Sequence, residues 1–158
     1  MKVVVVTGGF DPIHSGHIEY FQAAKELGDF LMVGVNSDEW LTRKKGRPFM
    51  NHSERKAIVG MIKGVGHAFS FRDDDGSAID AIEYAKKMFP RAEIIFANGG
   101  DRTKDNIPEM TVDGVTFEFG VGGENKLNSS SWILEEWKRS EEHTSELQSH
   151  SFISYAVF

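Results

Sequence analysis

Lys2-Val3-Val4-Val5-Val6-Thr7-Gly8-Gly9-Phe10-Asp11-Pro12-Ile13-His14-Ser15-Gly16-His17 follows Met1. The β-branched run from Lys2 to Thr7 is the mark of a strand covered on both faces, as in a parallel sheet. Gly8 and Gly9 let the backbone that follows approach a ligand closely. A helix is expected from about His17 to Leu27, because Ile18, Phe21, Ala24 and Leu27 recur at helical spacing and Gly28 closes it. Gly16 at the helix start exposes amide N–H groups to an anion. His14 and His17, three apart, face the same side of that first turn.

The same alternation continues outward. Phe30–Val35 reads as a second strand, and Ser37 caps a short helix through Trp40 and Leu41. Arg43-Lys44-Lys45-Gly46-Arg47-Pro48 reads as a basic loop. Asn51 and Glu54 have capping spacing before a helix through Ile58, Met61 and Ile62. His67–Phe71 is a strand, 73–76 a turn, and Ser77 with Asp80 begins a helix that Pro90 ends. Glu93–Ala97 and Val115–Val121 are further strands, followed by Asn98-Gly99-Gly100-Asp101 and Gly122-Gly123. Ser129–Ser131 cap a last helix through Trp132, Leu134 and Trp137. Strand and helix alternate without repeat or linker, so the fold class is α/β, a doubly wound parallel five-stranded sheet in a single domain. Ligands are expected at the C-terminal ends of its strands.

Length and composition agree. A chain of 158 residues suits one domain, and its net charge of -6 argues against a nucleic-acid binder, though not against a local pocket for a small anion. With no cysteine, thiolate metal sites, disulfides and cysteine nucleophiles are excluded. The valine run is too short for a signal peptide or a membrane span, and the expected location is the cytoplasm, with no membrane partner. The two histidines lack a nearby third ligand, which ranks zinc low and leaves no metal-ligating residue assigned.

The string His14-Ser15-Gly16-His17, behind a strand and two glycines, resembles the H-x-G-H signature of the cytidylyltransferase-like nucleotidyltransferases. The likeness extends through Asn36-Ser37-Asp38-Glu39, Lys45-Gly46-Arg47-Pro48, Glu54-Arg55 and Gly99-Gly100-Asp101. It is nearest the glycerol-3-phosphate cytidylyltransferases and the adenylyltransferase part of ADP-heptose synthases. The resemblance implies a Rossmann-like fold and condensation of CTP or ATP with a phosphorylated polyol or sugar, releasing pyrophosphate. It implies that His14 and His17 stabilise the α-phosphate, and that Lys45 or Lys44, with Arg55, neutralises the triphosphate. It further implies nucleotide contacts from Thr7, Gly8, Gly9, Phe10, Gly16, Gly99 and Asp101. Mg²⁺ is expected, held mainly by the nucleotide phosphates, and a homodimer is usual in relatives. Where the family carries an R-T-x-G-I-S-T-T-like stretch, this chain has Glu124 to Ser131, so Lys126, Ser129 and Ser130 stand in for it. Lys126 does so without arginine's planar fork.

Bland readings stand beside these. Arg55 also reads as a solvent-facing helix residue, Phe10 as core, Asp11 as a loop-stabilising carboxylate, and the basic run as a solvated surface. A nucleotide sensor that binds without transfer is the alternative function. A synthetase fragment fits poorly, for want of length and of a K-M-S-K-S-like loop. Base preference is open: Arg102-Thr103-Lys104 after Gly-Gly-Asp leans toward the heptose enzymes, and compact length toward the cytidylyltransferases.

The last stretch, Arg139 to Phe158, matches in one frame the translation of a common sequencing-library adapter, R-S-E-E-H-T-S-E-L-Q-S and then I-S-Y-A-V-F. The expected domain is therefore 1–138, with 139–158 a translated adapter outside the fold and the native C-terminus beyond Lys138 lost. Resequencing the source gene with a different library chemistry should replace those twenty codons; recovering them unchanged would make the tail native.

Overall fold

Val3, Val4, Val5 and Val6 have no accessible surface at all, because the strand that carries them is central and covered on both sides. The computed structural model describes residues 1–99, 107–122 and 130–144. Strand β1 (Lys2–Gly8) lies between β2 (Phe30–Val35) and β4 (Glu93–Ala97); β3 (His67–Ser70) and β5 (Val115–Glu118) form the edges. The order is β3-β2-β1-β4-β5 and every pairing is parallel, Val5 facing Met32 on one side and Phe96 on the other. This is the α/β Rossmann-like sheet that the alternation implied.

Successive valines feed opposite faces. Val3 and Val5 pack with Met32, Phe96 and, from α4 (Ile79–Met88), Ala81, Ile82 and Ala85. Val4 and Val6 pack with Leu31, Val33, Phe21 and Ala24 of α1 (Ser15–Glu26), and Val59 of α3 (His52–Gly60). Each buried valine contributes roughly 1.5–3 kcal/mol. Because α1 and α4 lie on opposite faces, chain direction across the sheet reverses between β1 and β4. The crevice at that switch point is where a ligand finds open strand ends.

Several boundaries moved, each for a local reason. Helix α1 begins at Ser15, two residues early, because His14 caps it. Helix α2 (Asp38–Lys45), capped by Ser37, runs through Arg43, Lys44 and Lys45, which were expected in a loop. Three cations in the last turn suit the helix's negative end, and Gly46 with φ 95° terminates it. Asp80 does not cap α4: it accepts from the Arg72 amide at 2.7 Å, and the Ala78 amide goes instead to Glu109, in the short 3-10 turn Pro108–Thr111. Strand β5 ends at Glu118, ahead of turns at Gly120 and Gly122 with positive φ. Helix α5 (Ser130–Thr144) crosses position 139.

One buried carboxylate ties the ends of β2 and β3 together. Asp73 accepts from the Ser37 amide (2.8 Å), the Ser37 hydroxyl (2.7 Å) and the Asn36 side-chain amide (2.9 Å), while its carbonyl accepts from Arg43. Burial works against its charge, but the Ser37 hydroxyl and Asn36 amide, then the Ser37 N–H and Arg43, outweigh it and hold the carboxyl below the usual 3.8. Asp73→Ala should cost about 2–3 kcal/mol at neutral pH by orphaning those donors. A depressed carboxylate stabilises above its unfolded value and loses that contribution as pH falls through its folded value. In urea titrations, the gap between wild type and variant should hold from pH 7 to about 5 and shrink toward pH 3.

Candidate active site

The loop leaving β1 is shaped by contacts within the protein. Phe10 adopts φ 52°, is 4% exposed, and sets its ring edge-on to His17 and Phe21, with centroids 5.1 Å apart in each case. It is a core residue under the histidine, not a ring open to a nucleotide. A Cβ on Gly8 would come within 2.8 Å of the Phe10 ring, and one on Gly9 within 2.8 Å of Leu41. Their missing side chains therefore admit Phe10 and α2 first. Thr7 pairs with Gly34 near the end of β1 and is half-buried.

His14 and His17 form a reciprocal cap. The His14 Nδ1 accepts from the Gly16 amide (3.0 Å), and the His17 Nδ1 accepts from the His14 amide (3.1 Å). The Gly16 amide, expected to face an anion, is thus taken by His14. The two rings stack with centroids 3.9 Å apart. Since each Nδ1 accepts, this hydrogen-bond pattern assigns the neutral tautomer with its proton on Nε2 in both rings. Burial, then the neighbouring His14 and the charge of Lys45, lower the His17 pKa from 6.5 to about 3.

That influence of Lys45 on His17 also separates the two candidate lysines. Lys45 hydrogen-bonds the Asp11 carbonyl and lies 3.5 Å from its carboxylate, three residues before His14. Lys44 instead lies over the Trp40 ring, 4.6 Å from its centroid. Helical spacing was the signal: Lys45 is four residues after the buried Leu41 and shares its inward face. The Asp11 carboxylate accepts from the Phe49 and Met50 amides, which makes it the loop-stabilising group of the bland reading.

Arg55 is the largest departure. Its side chain is fully buried; Nε donates to the Met50 carbonyl (2.9 Å), Nη1 to the Gly9 (2.9 Å) and Asn36 (2.7 Å) carbonyls, and Nη2 to Asp38 at 2.6 Å. The guanidinium assigned to the triphosphate is occupied in binding the loops after β1 and β2 to the 48–50 segment. Val59, also buried and four residues on, marks that inward face of α3.

At the far side of the crevice, Gly99 lies against Tyr20, whose hydroxyl donates to the Ala97 carbonyl. The Ser130 hydroxyl donates to the Pro12 carbonyl at 2.8 Å, setting the start of α5 on the histidine loop. Asp101, Lys126 and Ser129 lie outside the described residues. Among the described residues no group of three or more His, Cys, Asp or Glu is placed to hold a metal ion. No helix among them is long and apolar enough to cross a membrane.

The cytidylyltransferase-like family model matches residues 5–145. The bifunctional protein HldE of Helicobacter pylori (strain G27) is 33% identical over 142 residues, covering 87% of this chain and 28% of that protein. The chain spans about a quarter of the length of the curated relatives it matches. The lipopolysaccharide core biosynthesis protein from Thermoplasma volcanium GSS1 superposes with a TM-score of 0.61 at 24% identity, covering 79% of this chain and 99% of that one. A bifunctional NMN adenylyltransferase/ADP ribose pyrophosphatase from Francisella tularensis, complexed with AMP and a Mn ion, gives 0.61 at 11% identity over 85% and 41% of the two chains. Those two share the fold.

A histidine whose folded pKa lies below its unfolded value stabilises fully above about pH 6.5 and loses that contribution as pH falls toward 3. In an NMR titration His17 should stay neutral down to about pH 4. Protonation near 6.5 would remove the reciprocal cap from the native state.

Proposed function

The chain belongs to the cytidylyltransferase-like family of nucleotidyltransferases, and from that premise we propose that it joins CTP or ATP to a phosphorylated polyol or sugar. A phosphate oxygen of the acceptor forms a bond to the α-phosphorus, the α–β bridging P–O bond breaks, and pyrophosphate leaves. The attacking oxygen is already ionised at pH 7, so no general base is needed, and the protein's task is to place charge and donors around the phosphates. The observation that carries this reading is the capped histidine pair beside Lys45 at the switch-point crevice.

With Nδ1 engaged in the cap, the Nε2–H of His14 and of His17 are the donors offered to the α-phosphate. Keeping His17 neutral fixes it as a donor rather than a proton-exchanging group. Lys45 supplies the cation for charge building on the leaving pyrophosphate, while Arg55 and Asp11 act as positioning residues that hold its platform. Mg²⁺ bound to the triphosphate would neutralise phosphate charge and orient the leaving group. The activity is assigned to residues 1–138, ahead of the adapter-like stretch.

Pyrophosphate release, measured with CTP and with ATP across phospho-polyols and phospho-sugars, should appear for wild type and fall roughly 10²–10³-fold in His14→Ala and in His17→Ala. Nucleotide-induced thermal stabilisation without release on any acceptor would make the protein a sensor. The larger of the CTP and ATP shifts gives the base preference.

A further inference from the structure

Asn98 follows β4 directly, where the chain leaves the sheet at the switch point. It is 4% exposed, and its side-chain Nδ2 is buried with no hydrogen-bond partner among the described residues. Buried donors are almost always paired, so an orphan at a strand end calls for a cause. Main-chain slack is not the cause: the Asn98 amide donates to the Glu118 carbonyl at 2.8 Å, and its carbonyl accepts from the Val121 amide at 3.0 Å. The residues on either side are held too, Ala97 by the Tyr20 hydroxyl and Gly99 by packing on the Tyr20 ring.

Strand parity gives its direction. Ile94 and Phe96 belong to the core under α4, so Asn98 falls on that same face. Continuing the Val5–Phe96 register by two residues sets it level with Thr7 across the β1–β4 crevice. The imidazoles belong to the other side, at the start of α1, and Lys45, at the end of α2, meets the Asp11 loop that leads into it. A neutral amide is suited to a carbonyl, a ring nitrogen or a hydroxyl rather than to a phosphate, whose charge the cationic side already meets.

We propose that Asn98 is a nucleoside-reading residue, donating through Nδ2 to an acceptor atom on the base or ribose of the nucleotide. The proposal rests on the nucleotidyltransferase reading and adds the residue that grips the uncharged half of the donor substrate. It also makes the side chain a site where stability is given up for binding, since the amide loses water on folding and recovers a partner when nucleotide arrives.

The test compares wild type with Asn98→Leu, which keeps the volume and removes the orphan. Thermal unfolding of the free protein and calorimetric titration with Mg²⁺·ATP, Mg²⁺·CTP and inorganic tripolyphosphate are measured for both. Expected are an equal or higher Tm for the variant, about ten- to a hundredfold weaker binding of the preferred nucleotide, and unchanged tripolyphosphate binding. A lower Tm would show that the amide already has a structural partner. Unchanged nucleotide affinity, or equal loss for nucleotide and tripolyphosphate, would overturn the assignment. If Asn98→Leu does not fold, Asn98→Ala takes the binding comparison under the same criteria. Wild type that binds neither nucleotide would instead refute the nucleotidyltransferase reading, and the Tm comparison would still judge whether the amide is orphaned.

Discussion

The Arg55 guanidinium is the contact on which the site's architecture depends. Parallel strands end with carbonyls that face no partner strand, and the loops leaving β1 and β2 must satisfy them while staying close enough to form one pocket. Arg55 meets the Gly9 and Asn36 carbonyls with a single nitrogen and reaches Met50 and Asp38 with the other two. A buried cation is tolerable only when paired and fully bonded. Asp38 supplies the charge at 2.6 Å and is itself partly open to solvent. The pair is therefore desolvated on one side only, which lowers its cost while keeping three chain segments in register.

From that anchor the active groups follow by short links. The 48–50 segment that Arg55 holds is also held by Asp11, whose carboxylate takes the Phe49 and Met50 amides, and Lys45 comes to Asp11. Three residues further on, His14 caps α1. In the proposed reaction the cap and the chemistry would use opposite edges of the same rings: the Nδ1 edge is bound to the backbone, which orients the Nε2 edge. Protonating His17 would break its cap and add charge beside Lys45, so local stability and the neutral donor form are enforced together.

The strands were legible because a β-branched run flanked by glycine has few alternatives; β1, β2 and β4 lie where their apolar residues lie. The parallel pairing follows from alternating strands and helices, whereas the order β3-β2-β1-β4-β5 is set by tertiary packing that the alternation alone does not specify. Positions were legible where backbone chemistry imposed them. His14 and His17 at H-x-G-H spacing fall on the first turn whatever surrounds them. Arg55 was assigned to the triphosphate by resemblance, or else to solvent, and neither reading used its spacing from Val59, which puts it on the apolar face. Phe10, Gly8 and Gly9 left two readings open, since a glycine pair beside an aromatic ring reads equally as a ligand cradle and as two gaps that let the ring pack. Burial decides between these, and burial is a tertiary quantity.

The same geometry bears on how a chain with a net charge of -6 would hold the proposed anion site. The described cations near the crevice are each assigned locally: Arg43 to the Asp73 carbonyl, Arg55 to Asp38 and three carbonyls, Lys44 to the Trp40 face. Lys45 reaches the histidine loop through the Asp11 carbonyl and carboxylate, with about a quarter of its side chain exposed. One cation partly offset by the Asp11 carboxylate, two oriented imidazole donors and a helix N-terminus free of acidic residues in its first turn make a pocket with little net charge of its own. Under the proposed reaction, such a pocket would leave most of the triphosphate's charge to a metal ion brought with it.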